Sequence, residues 1–339
     1  MESEAYPRMR RLLTLSLMVV LLAGLSGLWQ WKQWRHFLDT PINSDSALRL
    51  WVEPGDGLND LIEQLEVLGL ARPDWRWRLY GRLEGPRLKR GEFRLDANLT
   101  VDRLIAALES GNVLEHRFTI VEGWTLKQLR QALAQETRLR HDSSSLSEQA
   151  LMERFGCSGC AAEGRFLPET YFFLRGSSDL DLLERAYLEM SEALDEAWAE
   201  RLPDLPIDSP DELLILASLI ERETGAPVER PEVAGVFKRR LELGMRLQTD
   251  PTVVYGLDEN FDGRIRRVHL RTDHPWNTYT RHGLPATAIA MPGRASLFAA
   301  AQPADGSSLY FVSRGDGTHH FSDTLQEHNA AVDRYIRGR

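Results

Sequence analysis

Two glutamates at the end of an apolar helix are the residues in this chain best placed for acid–base chemistry. The helix is announced after the turn-rich Leu202-Pro-Asp-Leu-Pro-Ile-Asp. Ser209 is a natural N-cap, Pro210 suits the first helical position, and Glu212 completes a capping box. From Leu213 to Ile220 nearly every residue is apolar, which predicts a helix buried almost all round. Glu221 and Glu223 then close it. The helix dipole opposes a carboxylate at that end, and desolvation would penalise the charge further. Both effects raise a carboxyl pKa toward what a general acid needs near neutral pH. At about 100° per residue the two side chains lie roughly 160° apart, so periodicity does not choose between them. The competing reading is an ordinary polar helix end with Arg222 as an ion-pair partner.

Cys157-Ser-Gly-Cys160 is the other motif that could carry chemistry. A C-x-x-C pair is redox-active when it opens a helix after a strand, and half of a zinc site when a second pair exists. Neither context is visible, and these are the only two cysteines. An oxidising compartment would join them locally, so they read as structural or incidental. There is no P-loop, H-E-x-x-H or G-x-S-x-G, so nucleotide, zinc-protease and serine-hydrolase readings have no support.

The elements that must position the helix begin with an anchor. Leu12 to Trp31 is a charge-free run of 20 residues, long enough at about 1.5 Å each to span the roughly 30 Å hydrocarbon core. Trp29 and Trp31 fit an aromatic interface belt. Arg8, Arg10 and Arg11 outnumber Lys32 and Arg35, which predicts that residues 1–11 stay in the cytoplasm. A cleaved signal peptide ending near Ala23-Gly-Leu-Ser-Gly is the alternative. Either way, residues from about 36 onward lie outside the cytoplasmic membrane.

A strand–turn–helix pattern then recurs three times: Leu48 to Leu65, Gly91 to Leu108 with Thr100 as cap, and Phe118 to Leu133. The modules, expected over 47–135, resemble the LysM-like units that bind glycan in cell-wall proteins; a ligand-free spacer is equally open. Trp75, Trp77 and Tyr80 interleave with basic residues from Arg72 to Arg94. That mixture suits an anionic polymer or a sugar face, but a solvated helix face over a buried aromatic stripe is favoured. A loop over Arg140 to Ser147 precedes the third region, 150–339. The fold class is therefore α+β: one transmembrane helix, LysM-like modules, and a mixed α/β domain. A net charge of −9 argues against nucleic acid as main partner.

Ala217-Ser-Leu-Ile-Glu-Arg-Glu-Thr resembles the A-S-I-I-E-K-E-T signature of the endolytic murein transglycosylases, the YceG-like family. The likeness continues through Glu163-Gly-Arg-Phe-Leu-Pro-Glu-Thr-Tyr171, Val236-Phe-Lys-Arg-Arg-Leu and Gly244-Met-Arg-Leu-Gln-Thr-Asp-Pro-Thr-Val-Val-Tyr-Gly256. It goes on through Asn277-Thr-Tyr, Gly283-Leu-Pro, Ile289-Ala, Pro292-Gly293, Tyr310-Phe-Val, His319, Phe321 and His328-Asn329. The order of anchor, LysM-like region and catalytic domain agrees too.

The resemblance implies a lyase that cleaves the β-1,4 bond between N-acetylmuramic acid and N-acetylglucosamine within a strand, leaving a 1,6-anhydro end. It implies Glu223 as the acid and then the base, with Glu221 behind it. Gln248, Asp250, Tyr255, Asn277 and Tyr279 would line the glycan groove: Asp250 orienting Glu223 or a sugar hydroxyl, Asn277 bonding an N-acetyl group, the tyrosines stacking on sugars. No cofactor or metal is implied. The implied partners are peptidoglycan strands, the inner membrane and peptidoglycan synthases. A non-catalytic glycan-binding scaffold in division or elongation is the alternative. Glu169, Thr318 and Arg281-His282 depart from the family pattern and bear on substrate preference.

Overall fold

A computed structural model describes residues 5–42, 47–71, 74–257 and 261–338. Arg72 of the basic stretch and residues 1–4 of the expected cytoplasmic tail lie outside the described residues. The chain divides into two compact units, Met1–His116 and Arg117–Arg339.

In the first unit, helix α1 (Ala5–Asp39) carries one stretch, Leu13–Asp39, long and apolar enough to cross a membrane. Its apolar side chains from Leu13 to Trp31 are exposed, and its last two turns join a core, through Trp34, Phe37 and Leu38. Strand β1 (Leu48–Val52), helix α2 (Leu58–Val67), helix α3 (Trp75–Glu84), strand β2 (Gly91–Leu95) and helix α4 (Val101–Ser110) complete the unit. β1 and β2 pair antiparallel, Leu48 opposite Leu95 and Val52 opposite Gly91. The i, i+3, i+4 leucines buried on α2 and α4 close over this ribbon. Trp77 and Tyr80 form the buried stripe of α3, while Trp75, Arg78 and Arg82 face solvent.

The third strand–helix copy does not join the first two. Strand β3 (Glu115–Thr119) pairs with β4 (Thr170–Leu174), and helix α5 (Leu126–Gln135) packs in the second unit's core. The division at His116 thus falls inside the region expected at 47–135. Local periodicity finds a strand and a helix but not the partner strand, which lies about fifty residues away.

The second unit continues with α6 (Glu148–Arg154), α7 (Asp179–Ala199), α8 (Pro210–Glu223), α9 (Arg230–Glu242), α10 (Asp250–Leu257), α11 (Arg267–Arg271) and α12 (Arg294–Ala301). A β5 (Tyr310–Ser313), β6 (His319–Ser322) hairpin and α13 (Leu325–Tyr335) end it. The expected buried helix is α8, with Leu213, Leu214, Leu216, Ala217, Ser218, Leu219 and Ile220 all inside. Ser218 is tolerated there because its hydroxyl donates to the Ile215 carbonyl and accepts from the Ile289 N–H. Ser209 caps the helix as expected, but Glu212 accepts from the N–H of Asp208, one residue earlier than a capping box requires. Cys157 and Cys160 form a disulfide.

Candidate active site

Glu223 is the last residue of α8, and Thr224 leaves the helix in extended geometry. The side chain that meets Glu223 is Thr249, whose hydroxyl donates to its Oε1. Thr249 is held in turn: its N–H donates to the Thr278 hydroxyl at 3.1 Å, and its carbonyl accepts from the Thr252 hydroxyl at 2.7 Å. Thr249, Thr252 and Thr278 are all buried, so this small hydroxyl cluster fixes the partner of the carboxyl.

Glu223 is half-buried, so part of its surface is open, yet the protein packed around it desolvates the carboxyl. That desolvation raises its pKa to about 7; the Thr249 hydrogen bond opposes the rise and the Asp250 carboxylate adds to it. The electrostatic effect of His319 and Arg240 pulls the other way. Arg240 is buried, its Nε donating to the Leu309 carbonyl at 2.7 Å and its Nη1 to the Leu247 carbonyl at 2.7 Å. His319 is fixed by Glu229, which accepts from the His319 N–H at 2.9 Å and lies 2.8 Å from its Nδ1.

Glu221 has a different place. Its carboxylate accepts from Arg230 Nη2 at 3.2 Å, the Gly293 N–H at 2.9 Å and the Ser296 hydroxyl at 2.8 Å. Gly293 is the N-cap of α12, so Glu221 ties the end of α8 to the start of α12. The side chain is 5% exposed, with every oxygen engaged. Arg222 is engaged elsewhere: its Nη1 donates to the Gly123 carbonyl at 3.1 Å.

The structure brings Asp250 and Tyr279 together, the Tyr279 hydroxyl donating to Asp250 Oδ1 at 2.6 Å. Asp250 opens α10 directly after Thr249, and Gln248 precedes it, exposed, with φ +52°. Asn277 is fully buried, and its amide is engaged within its own loop. Its Nδ2 donates to the His269 and Thr272 carbonyls at 3.1 and 2.7 Å, and its Oδ1 accepts from the Tyr279 N–H at 2.9 Å. Both polar atoms of the amide are thus engaged inside the protein, and the bond to the Tyr279 N–H sets Tyr279.

Tyr255 belongs to a second neighbourhood. Its hydroxyl donates to Glu163 Oε2 at 3.1 Å, and its ring meets Trp276 edge to face at 5.4 Å. Glu163 also accepts from the Leu126 N–H at 2.9 and 3.1 Å, at the start of α5. Burial raises its pKa to about 7 despite these donors. Glu163, Tyr255, Trp276, Arg130 and Arg222 line a cleft of about 1310 Å³, which Glu223 does not line.

Sequence reasoning missed Thr249 and gave no role to Glu163, Arg240 or the Glu229–His319 pair. Thr249 had a signal. In Leu247-Gln-Thr-Asp250 the buried residues alternate with exposed ones, so a core leucine at 247 places Thr249 inward and Gln248 and Asp250 outward. Among the described residues no cluster of three His, Cys, Asp or Glu has the makings of a metal site.

The YceG-like family model matches residues 50–334. A Bacillus subtilis protein named endolytic murein transglycosylase is 28% identical over 320 residues, covering 88% of each chain. A Streptococcus pneumoniae protein of the same name is 23% identical over 332 residues, covering 88% of this chain and 60% of the pneumococcal one. The crystal structure of a YceG-like protein from Listeria monocytogenes gives a TM-score of 0.57 at 26% identity, covering 85% of this chain and 99% of that one. With the match running from β1 to α13 through the Glu223 helix, the chain belongs to the YceG-like family.

Proposed function

We propose that this chain is an endolytic lytic transglycosylase that cuts the β-1,4 bond between N-acetylmuramic acid and N-acetylglucosamine within peptidoglycan strands. The names of its relatives support the substrate class. The observation that carries the mechanism is Glu223 at the end of α8, raised to about 7 by burial and hydrogen-bonded by one fixed hydroxyl. A group at that value is protonated often enough to act as an acid at neutral pH, and its conjugate base is basic enough to take a proton back.

Protonated Glu223 donates to the bridging oxygen as the C1–O bond breaks, the electron pair leaving with the N-acetylglucosamine oxygen. The carboxylate so formed accepts the proton of the muramyl 6-hydroxyl, whose oxygen closes onto C1. A 1,6-anhydro end results, Glu223 returns protonated, and no water enters. A pair of carboxylates arranged for hydrolysis is therefore not needed. Thr249 orients the acid. Asp250 raises its pKa and, with Tyr279 and Gln248, faces the glycan. Tyr255 sets the wall of the neighbouring cleft, Asn277 shapes the loop, and Glu221 holds α8 against α12.

α1 would hold the chain in the cytoplasmic membrane with both units outside, where an oxidised Cys157–Cys160 pair is at home. There the enzyme would act beside the synthases whose strands it shortens, and the β–α ribbon of the first unit would serve as its LysM-like, glycan-associated part. The test is digestion of purified peptidoglycan by the full chain in oxygen-18 water. Anhydro ends without label are expected. Labelled reducing ends would make it a hydrolase, and intact strands that still sediment with the protein would make it a binding scaffold.

A further inference from the structure

Helix α3 is packed against the end of α1 by two aromatic steps. Phe37 meets Trp77 edge to face at 5.2 Å, and Trp34 meets Tyr80 at 6.3 Å. Residue numbers rise along α3 as they fall along α1, so the two helices run antiparallel where they touch. Leu83 lies three residues beyond Tyr80, about 4.5 Å further along α3, and Trp31, the residue at the expected membrane interface, lies three residues before Trp34 on α1.

The outward surface of α3 fits that depth. Trp75, Arg78 and Arg82 share one face at i, i+3 and i+7, and Leu83 is 64% exposed beside them. Arg76, by contrast, is tied down, to Asp74 at 2.6 Å and over the Phe37 ring at 5.2 Å. Residues 74–94 hold seven basic and three acidic side chains, on a chain whose net charge is −9. An acidic protein that concentrates positive charge and exposed apolar side chains beside its membrane helix matches the charge of anionic phospholipid headgroups.

We propose that the outward face of α3, chiefly Arg78, Arg82 and Leu83, docks on the anionic phospholipid surface where α1 leaves the bilayer, fixing the first unit to the membrane. This rests on α1 spanning the membrane, as read above. Arginines supply the attraction, Leu83 enters the headgroup layer, and the Trp34–Tyr80 and Phe37–Trp77 contacts set the depth.

The test uses the full chain in nanodiscs of phosphatidylcholine, with or without phosphatidylglycerol. Cys157 and Cys160 are joined to each other, so a dye on Leu83→Cys reports from one site. Retention of the chain by the disc reads anchoring alone. In anionic discs, iodide quenching of the dye is expected to fall several-fold while a lipid-borne quencher becomes effective; a dye on Glu63→Cys of α2 should not change. Each basic residue near an anionic surface is worth about fivefold, so an Arg78→Glu/Arg82→Glu pair should shift docking by at least roughly thirtyfold and restore quenching. Retention with equal iodide quenching in both lipids would overturn the docking while leaving the anchor intact. Shielding only when glycan strands are added would assign the face to the cell-wall polymer instead.

Discussion

Thr249 donates its hydroxyl hydrogen to Glu223 while its own N–H is bound to Thr278, so the orientation of the acid is fixed from outside its helix. The donor favours the ionised carboxyl and holds the pKa below where burial alone would put it. Thr249→Val removes that donor without changing size much. The pKa of Glu223 should rise above about 7. The fall of kcat/KM on the alkaline side, where the acid loses its proton, should then move to higher pH. Loss of one hydrogen bond to a charged group predicts a kcat lower by roughly 10- to 100-fold. Thr249→Ser should recover most of it, and an alkaline limb moved to lower pH would contradict the arrangement.

Glu163 makes stability depend on pH. Its native pKa of about 7 lies above the ordinary 4.5, so the folded state binds the proton more tightly than the unfolded one. Its contribution is fully present below about 4.5 and is lost as pH rises through about 7. Glu163→Gln cannot ionise and keeps an acceptor for the Leu126 N–H. Melting temperatures of the native chain and this variant should diverge from pH 5 to pH 8, the variant losing less, by up to a few kcal/mol. Parallel curves would show that Glu163 is ionised throughout.

Asn277→Ala should cost about 2–4 kcal/mol, because a fully buried amide is lost and two carbonyls and the Tyr279 N–H, all part-buried, lose their partner. The thermal midpoint reads the loss. KM for glycan should rise as Tyr279 and its bond to Asp250 loosen. An unchanged midpoint with weaker binding would instead make Asn277 a direct sugar ligand.

Glu221→Ala would leave the Gly293 N–H and the Ser296 hydroxyl without their buried acceptor, and Arg230 with only the more exposed Glu122 at 3.4 Å. Breaking such a pair costs on the order of 3 kcal/mol, seen as a lower melting temperature. The alkaline limb of activity should stay where it is, since Glu223 is untouched.

Much of this was legible from residue order. The cap at Ser209 and the unbroken apolar run announced α8, and leucine spacing announced α2, α4 and α5. Periodicity left Glu221 and Glu223 equal; what separates them is what each meets. Glu221 meets an N–H, a hydroxyl and a guanidinium from α9 and α12, whereas Glu223 meets one hydroxyl and an Asp. Those neighbours are from 9 to 75 residues distant, and only folding brings them in. The third strand–helix copy shows the same limit: β3 is a strand by local pattern, but its partner β4 decides which unit owns it. Asn277 shows another, since an asparagine that binds sugar and one that ties a loop look alike until its amide partners are seen.

The most direct measurement is the yield of 1,6-anhydromuramyl ends, by mass spectrometry, from peptidoglycan digested with the full chain and with Glu223→Gln or Glu221→Gln. Anhydro ends should form with the native chain, vanish with Glu223→Gln, and persist with Glu221→Gln in proportion to the protein that remains folded. Undiminished anhydro ends from Glu223→Gln would contradict the assignment of Glu223 as the acid.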